Sequence, residues 1–253
     1  MDGFDRAYVL EHPVKELDAL AFIEDVHPSW LLPVFAKYSE EDIRFALGVL
    51  APWQVDILSD VLRIQPSSVK VTSLGRLFIQ RALCTALLGN RTIIPRQYLA
   101  KTSFDALYAL PCNLVIELID RLGLRDLAVD MRKMIEKARI NKIYGVLTPA
   151  EKVWVQDLMQ HQEPILFKAM GIYQGELTES VLRAFVRQRG LNRLAKALYG
   201  QQESLIWYIQ HKVDKALGEG LQALCVPTVP SHAGKILEEQ VVDALSFIKK
   251  ERL

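Results

Sequence analysis

The side chains of this 253-residue sequence that invite chemistry are five histidines, three cysteines and one arginine-rich stretch. His12, His27, His161, His211 and His232 are scattered. No two stand at the H-x-x-x-H spacing that would put two imidazoles on one helical face. His211, next to Lys212, reads as a surface or interface histidine in preference to a metal ligand. Cys84 lies inside an apolar run and reads as core in preference to a nucleophile. With Cys112 and Cys225 it makes an odd set without C-x-x-C, which indicates neither a disulfide framework nor a zinc knuckle. There is no G-x-x-x-x-G-K-S/T, no G-x-G-x-x-G after a strand, and no serine in a nucleophile elbow. The carboxylate pairs Glu40-Glu41 and Glu238-Glu239 fall at helix starts or surfaces, where solvation accounts for them. No residue is assigned to catalysis, to a cofactor or to a metal. The chain reads as a non-enzymatic binding scaffold.

The arginines concentrate in a helix expected over Thr178–Tyr199. It carries Arg183, Arg187, Arg189, Arg193 and Lys196, with no carboxylate between Glu179 and Glu203. Its apolar set, Val181, Leu182, Phe185, Val186, Leu191, Leu194, Ala195 and Leu198, recurs at helical spacing and is expected to face a core. The arginines are then expected on a basic, solvent-facing surface. That surface has two readings: an ordinary solvated face, or a docking site where charge steers an acidic protein partner. Charge reversal at Arg183 and Arg187 is expected to disrupt partner binding and to leave helicity intact. Trp30, Trp53, Trp154 and Trp207 likewise read either as core or as interface residues.

Half of the residues are hydrophobic, enough for a substantial core, and 31 basic residues nearly cancel 30 acidic ones. That balance argues against a nucleic-acid partner bound through bulk charge. The N-terminal Met1-Asp2-Gly3-Phe4-Asp5 lacks the basic-then-apolar pattern of a signal peptide. No apolar stretch approaches the ~18 residues of a membrane span. A soluble cytosolic protein is expected.

The elements that must position these residues are helices throughout. A short amphipathic piece is expected over residues 14–24, ending at Val26-His27-Pro28. Ser29 opens a helix from Trp30 to Tyr38 with Pro33 in its first turn. Ser39 caps the next, with Glu40, Glu41 and Asp42 complementing its dipole. Pro52 starts another, Gln65-Pro66-Ser67-Ser68 breaks the pattern, and the very apolar Leu74–Leu88 ends at Gly89-Asn90. Helices follow over Tyr98–Leu110 and Pro111–Leu122, then, after Gly123, from Leu124 to about Ile143. Thr148 to Glu151 forms a capping box, and Pro164 interrupts that helix before Ile165–Met170. After a loop at Gly171 to Gly175 come Thr178–Tyr199, then about Gln201 to Leu217 closing in Gly218-Glu219-Gly220, and a last helix from Ser231. No sustained period-2 alternation is present, so no sheet is expected. The expected fold is all-α: an armadillo-like right-handed stack of short helices with a C-terminal helical domain.

Three stretches, in order, resemble the flagellar motor switch protein FliG. The segment from Leu177-Thr178-Glu179 through Leu194-Ala195-Lys196-Ala197-Leu198-Tyr199-Gly200 is similar to a family helix ending in Leu-Ala-x-Ala-Leu-x-Gly. Downstream, Ala223-Leu224, Pro227, Ser231 and Glu238-Glu239 track that family's closing segment. Val26-His27-Pro28-Ser29 through Leu50 resembles the Glu-His-Pro-Gln motif of its middle domain and the two helices after it. Glu151-Lys152 to Pro164 is similar to its second armadillo-like unit. The resemblance implies a FliG-middle-like domain over 1–93, an armadillo-like unit over 94–172 and a FliG-C-terminal-like domain over 173–253. The family's N-terminal domain has no counterpart here, its Met-Phe-x-Phe hinge is missing, and its charged ridge is reduced to Thr178, Glu179 and Ser180, extended by Arg183 and Arg187.

A FliG-like chain with these departures implies an adaptor of the SctK kind in a type III secretion base. It would lie at the cytosolic face of the inner membrane, reaching the membrane through partners alone. The partners implied are an inner-membrane ring component, a FliM/SctQ-like platform protein and the stalk regulator of the export ATPase, with no nucleic acid. Partner-binding positions expected on this reading are Val26, His27, Pro28, Ser29 and Trp30, together with Glu179, Arg183, Arg187, Arg189 and Arg193. The alternatives are a flagellar switch protein without its N-terminal domain and an unrelated helical-repeat protein that binds peptide or RNA.

Overall fold

The computed structural model describes residues 21–168, 176–227 and 233–250. Among these it is all-α, with twelve α-helices, three short 3-10 helices and no strand. No described helix is long and apolar enough to cross a membrane. The chain packs as two compact units. One comprises the residues up to Ala100 with Gln202–Gly218, and the other Lys101–Gln201 with the residues from Glu219 onward.

The first unit begins with 3-10 turns at Ala21–Asp25 and Pro28–Trp30, then α1 (Leu32–Phe35), α2 (Glu40–Leu47), α3 (Pro52–Leu62) and α4 (Ser73–Leu88). Local chemistry sets these boundaries. The Ser39 hydroxyl accepts from Asp42 N–H, and Thr72 does the same for Gly75. Pro33 and Pro52 occupy first turns, where the missing donor is not needed. Gly89 ends α4 at φ +57°, a conformation a β-carbon would strain. The expected helix Trp30–Tyr38 is shorter, because 3-10 geometry at Pro28–Trp30 turns the chain before α1. A short 3-10 turn follows at Arg96–Tyr98. Phe22, Ile23, Leu31, Phe35, Leu47, Leu58 and Leu83 form the core of this unit, closed by Trp207 and Ile209 of α10 (Glu203–His211).

The second unit is built on α6 (Cys112–Lys133), preceded by the short α5 (Asp105–Ala109). Then come α7 (Lys137–Val146), α8 (Pro149–Gln160), α9 (Glu179–Leu198) and α12 (Ala233–Lys250). Between α10 and α12 lies α11 (Lys215–Leu224). Helix α6 packs along α9 and α8, and α12 lies against both α9 and α6. The expected break at Gly123 does not occur: α6 runs through it to Lys133, with Met134 as its C-cap, and the chain restarts as a separate helix at Lys137. A β-carbon at Gly123 would lie 1.8 Å from the Val186 carbonyl oxygen, and one at Gly190 would lie 1.6 Å from that of Ile119. The two glycines let α6 and α9 cross backbone to backbone.

Other boundaries differ for comparable reasons. Tyr98–Leu110 is a 3-10 turn and a separate short helix, because the Asp105 side chain accepts Thr102 N–H and restarts the chain there. Residues 165–168 are not helical, since Arg193 takes up the Ile165 carbonyl that a helix would use. Residues 212–214 separate α10 from α11, and Gly218 and Gly220 lie inside α11 and do not close a helix. The expectations for residues 14–20, the Gly171–Gly175 loop and the start at Ser231 lie outside the described residues.

Candidate partner-binding surfaces

The Val26–Trp30 stretch is an internal clamp of the first unit. Val26 is buried, and its carbonyl accepts Gln54 Nε2 at 2.6 Å. The same amide group donates to the Ile23 carbonyl at 2.9 Å, while Gln54 Oε1 accepts Ala51 N–H at 3.1 Å. A fully buried glutamine thereby ties two turns to the start of α3. His27 N–H donates to the His211 carbonyl at 2.7 Å. Its Nδ1 lies 2.9 Å from the Ser29 hydroxyl, which accepts Lys215 N–H at 2.8 Å. Pro28 is buried. Trp30 Nε1 donates to the Val213 carbonyl at 3.0 Å, and Lys215 Nζ sits 5.9 Å from the Trp30 ring centroid. Of the five positions expected at an interface, His27, Ser29 and Trp30 keep part of their surface.

His211, expected as a surface or interface histidine, is buried in the first unit. It is sandwiched between Trp207, stacked at 3.9 Å, and Trp30 at 4.1 Å, and its Nδ1 lies 2.8 Å from the Trp207 carbonyl. Burial pushes its pKa down to about 4, against the opposing pull of that carbonyl and with help from the Arg91 charge. His27 is also lowered by burial, with Asp214 opposing. Lys212 is buried too, its ammonium 3.5 Å from Asp25, which also receives Arg96 at 2.5 Å. These bonds, with Tyr208 Oη donating to the Ile94 carbonyl, explain why Gln202–Gly218 folds with the first unit.

Arg183 and Arg187 of α9 keep part of their surface, and each is paired within the second unit. Arg183 Nη1 donates to Glu151 Oε1 at 2.5 Å and Nη2 to the Val146 carbonyl at 2.8 Å. The other Glu151 oxygen accepts Thr148 N–H, so Arg183 locks onto the capping box of α8. Burial raises the Glu151 pKa, but the hydrogen bonds from Arg183 and Thr148 outweigh it and hold the carboxyl below its ordinary value. Arg187 grips Asp120 with Nε at 3.0 Å and Nη2 at 2.7 Å. Arg189 is half-buried, and Glu179 is exposed in the first turn of α9.

Arg193 is fully buried, contrary to the expected solvent-facing position. Its guanidinium donates five bonds: two to Asp126 at 3.2 and 2.8 Å, and one each to Glu163 at 3.1 Å, Gln240 at 2.6 Å and the Ile165 carbonyl at 3.0 Å. Every guanidinium donor is thus used. Arg125 joins the cluster, with Glu163 at 3.5 Å and Asp243 on its other side. Arg193 is therefore a structural hub.

Beside Asp120 and Glu151 a cleft of about 610 Å³ opens between α6 and the start of α8. Of its three acids, Asp120 and Glu151 are already gripped by Arg187 and Arg183, and Glu117 lies 3.6 Å from Arg121. Cys84 is buried and its thiol is pushed up to about 12, so it stays protonated. No group of three His, Cys, Asp or Glu side chains among the described residues is placed to hold a metal. Sequence reasoning missed an apolar groove in the first unit, about 330 Å³, lined by Phe35, Tyr38, Phe45, Phe78 and others. The signal was available: Leu74–Leu88 has more apolar side chains than one helical face can bury. Comparison with protein-family models, with curated proteins and with solved structures gives no match to this chain.

Proposed function

We propose that this chain is a non-enzymatic adaptor of a type III secretion (injectisome) base, linking the inner-membrane ring to the cytosolic sorting platform. The observation that carries this reading is the common order of the three FliG-like stretches, from Val26 to the last helix. Their boundaries fall on helical elements, which supports it. Val26–Leu50 is a turn followed by α1 and α2, Glu151 stands in the first turn of α8, and Leu194–Gly200 is the end of α9, with Gly200 at φ +84°. On this reading the short helices of each unit are armadillo-like, and the protein works at the cytosolic face of the inner membrane. Its partners are a ring component, a FliM/SctQ-like platform protein and the ATPase stalk regulator.

Because Arg183, Arg187 and Arg193 are committed inside the second unit, partner contacts fall to the remaining exposed surface, including Glu179 and the free edges of His27 and Trp30. Deletion of the coding sequence in its host tests the proposal. Loss of export with motility retained is the expected result. A motility defect with intact export would assign the chain to the flagellar switch instead.

A further inference from the structure

The elbow between α6 and α7 carries Ile135, the most exposed large apolar side chain among the described residues, at 95%. The backbone is extended at Met134 and at Glu136, so successive side chains point to opposite sides. Met134 turns inward and is buried, and Ile135 is turned out. Helix α7 stands proud of the second unit, with Ile143 its one buried residue. Lys137, Asn141 and Lys142 lie on its exposed face.

The charge around Ile135 is almost all of one sign. Residues 131–150 hold Arg132, Lys133, Lys137, Arg139 and Lys142 against the single carboxylate of Glu136. Arg132, Lys133, Lys137 and Lys142 are exposed. Arg132 donates to the His161 carbonyl at 2.6 Å, a neutral partner that leaves its charge in place. The dipole at the end of α6 accounts for Arg132 and Lys133. Lys137 and Arg139 stand instead in the first turn of α7, where a helix favours acids. Helix stability thus explains two of these cations and opposes two others.

The chemistry of the elbow selects its occupant. A lone exposed isoleucine needs no explanation, but here it sits among cations on a projecting turn. Docked proteins are held by aromatic anchors in pockets, and single-stranded nucleic acid stacks on aromatic faces. The elbow offers neither. The one aromatic residue of the stretch, Tyr144, is half-buried, with its hydroxyl 3.6 Å from Met159 Sδ. An aliphatic tip that enters the boundary between headgroups and acyl chains, with lysine and arginine at headgroup level, matches an anionic bilayer.

We propose that the α6–α7 elbow is a peripheral membrane contact for anionic phospholipid, with Ile135 entering the bilayer surface and Arg132, Lys133, Lys137 and Lys142 on the headgroups. This adds a direct contact to a membrane that the FliG resemblance reaches through partners alone. It does not need the secretion role. Vesicle binding reads the elbow, and capture from the host reads the assembly, so the two can fail separately.

The full chain is floated with vesicles of phosphatidylcholine alone and of phosphatidylcholine mixed with phosphatidylglycerol. The expected result is binding to the mixed vesicles alone, lost progressively as salt is raised. Lys133→Glu with Lys137→Glu should weaken it by about tenfold or more, because each cation at such a surface contributes. Ile135→Ser should weaken it about fivefold through lost apolar transfer. Leu74→Ser and Lys70→Glu, exposed positions of the first unit, should leave it unchanged. Circular dichroism verifies that each variant is folded. Equal binding to both kinds of vesicle, no binding to the mixed ones, or indifference to the charge reversal would overturn the proposal. So would indifference to Ile135→Ser with equal displacement by polyuridylate, which would reduce the elbow to a general polyanion site.

Discussion

Gly123 and Gly190 face each other where α6 crosses α9, so close that a β-carbon on Gly190 would lie 2.9 Å from the Gly123 nitrogen and 1.6 Å from the Ile119 carbonyl oxygen. The obstacle on each side is backbone, which cannot swing aside as a side chain does. Gly190→Ala must therefore push two helices apart along the most extensive packing in the second unit. We expect it to cost about 3 kcal/mol or more, near the upper end for overpacked cores. Gly145→Ala is the control, because a β-carbon there meets nothing. Urea unfolding followed by circular dichroism measures both.

Arg193 makes a second prediction about the same unit. Removing it strips Asp126 of the guanidinium that grips it and leaves Glu163 to Arg125 at 3.5 Å, so Arg193→Ala is expected to cost about 3–5 kcal/mol. Arg193→Lys keeps the charge but cannot supply five donors in one plane, and it should recover only part of the loss. Hydrogen exchange at residues 161–168 should rise in both variants, because the guanidinium holds the Ile165 carbonyl. Unchanged protection there would contradict the role given to Arg193.

Reversing Arg183 and Arg187 reads stability as well as binding. The two new carboxylates would stand opposite Glu151 and Asp120, whose present pairs are at 2.5 and 2.7 Å. Both arginines are partly solvated, so screening limits the effect to about 1–3 kcal/mol for the double variant. Raising the salt concentration should shrink the difference. A thermal melt equal to that of the parent would show these pairs to be idle.

The pH dependence of the first unit follows from His211. Its pKa in the folded chain, about 4, lies below the ordinary 6.5. Between these values the unfolded chain binds the proton and the folded one does not. Stability is then fully present above pH 6.5 and falls as the pH drops toward 4. Between pH 7 and pH 5 the loss should be about 2 kcal/mol, and the lowered pKa of His27 acts in the same direction. His211→Phe should flatten this window. Tryptophan fluorescence reports it, since Trp30 and Trp207 flank the ring.

Helix starts were legible in the sequence because their signals are local. Ser39, and Thr148 with Glu151, cap helices in the structure as their spacing indicates, and the helix expected from Thr178 starts beside it, with Thr178 as its cap. Gly89 was legible as a helix end, but Gly123 and Gly218 were not legible, since they carry the same letter as a turn. A β-carbon at Gly218 would meet Trp30 Cζ2 and the Gln210 carbonyl, each at 2.6 Å, a contact no local pattern encodes. Arg193 shows a different failure. It lies seven residues after Val186 and four before Ala197, on the buried stripe of α9, so periodicity placed it inside. Its charge argued for solvent, and its partners, Asp126, Glu163 with Ile165, and Gln240, come from three other segments of the chain.

The adaptor role is tested most directly by capturing the tagged full chain from its host after brief cross-linking and identifying what comes with it by mass spectrometry. Enrichment of an inner-membrane ring component together with a FliM/SctQ-like platform protein is the expected result. Recovery of RNA or of soluble enzymes in place of secretion proteins would contradict the role, and would leave the FliG-like stretches as a likeness of helices alone.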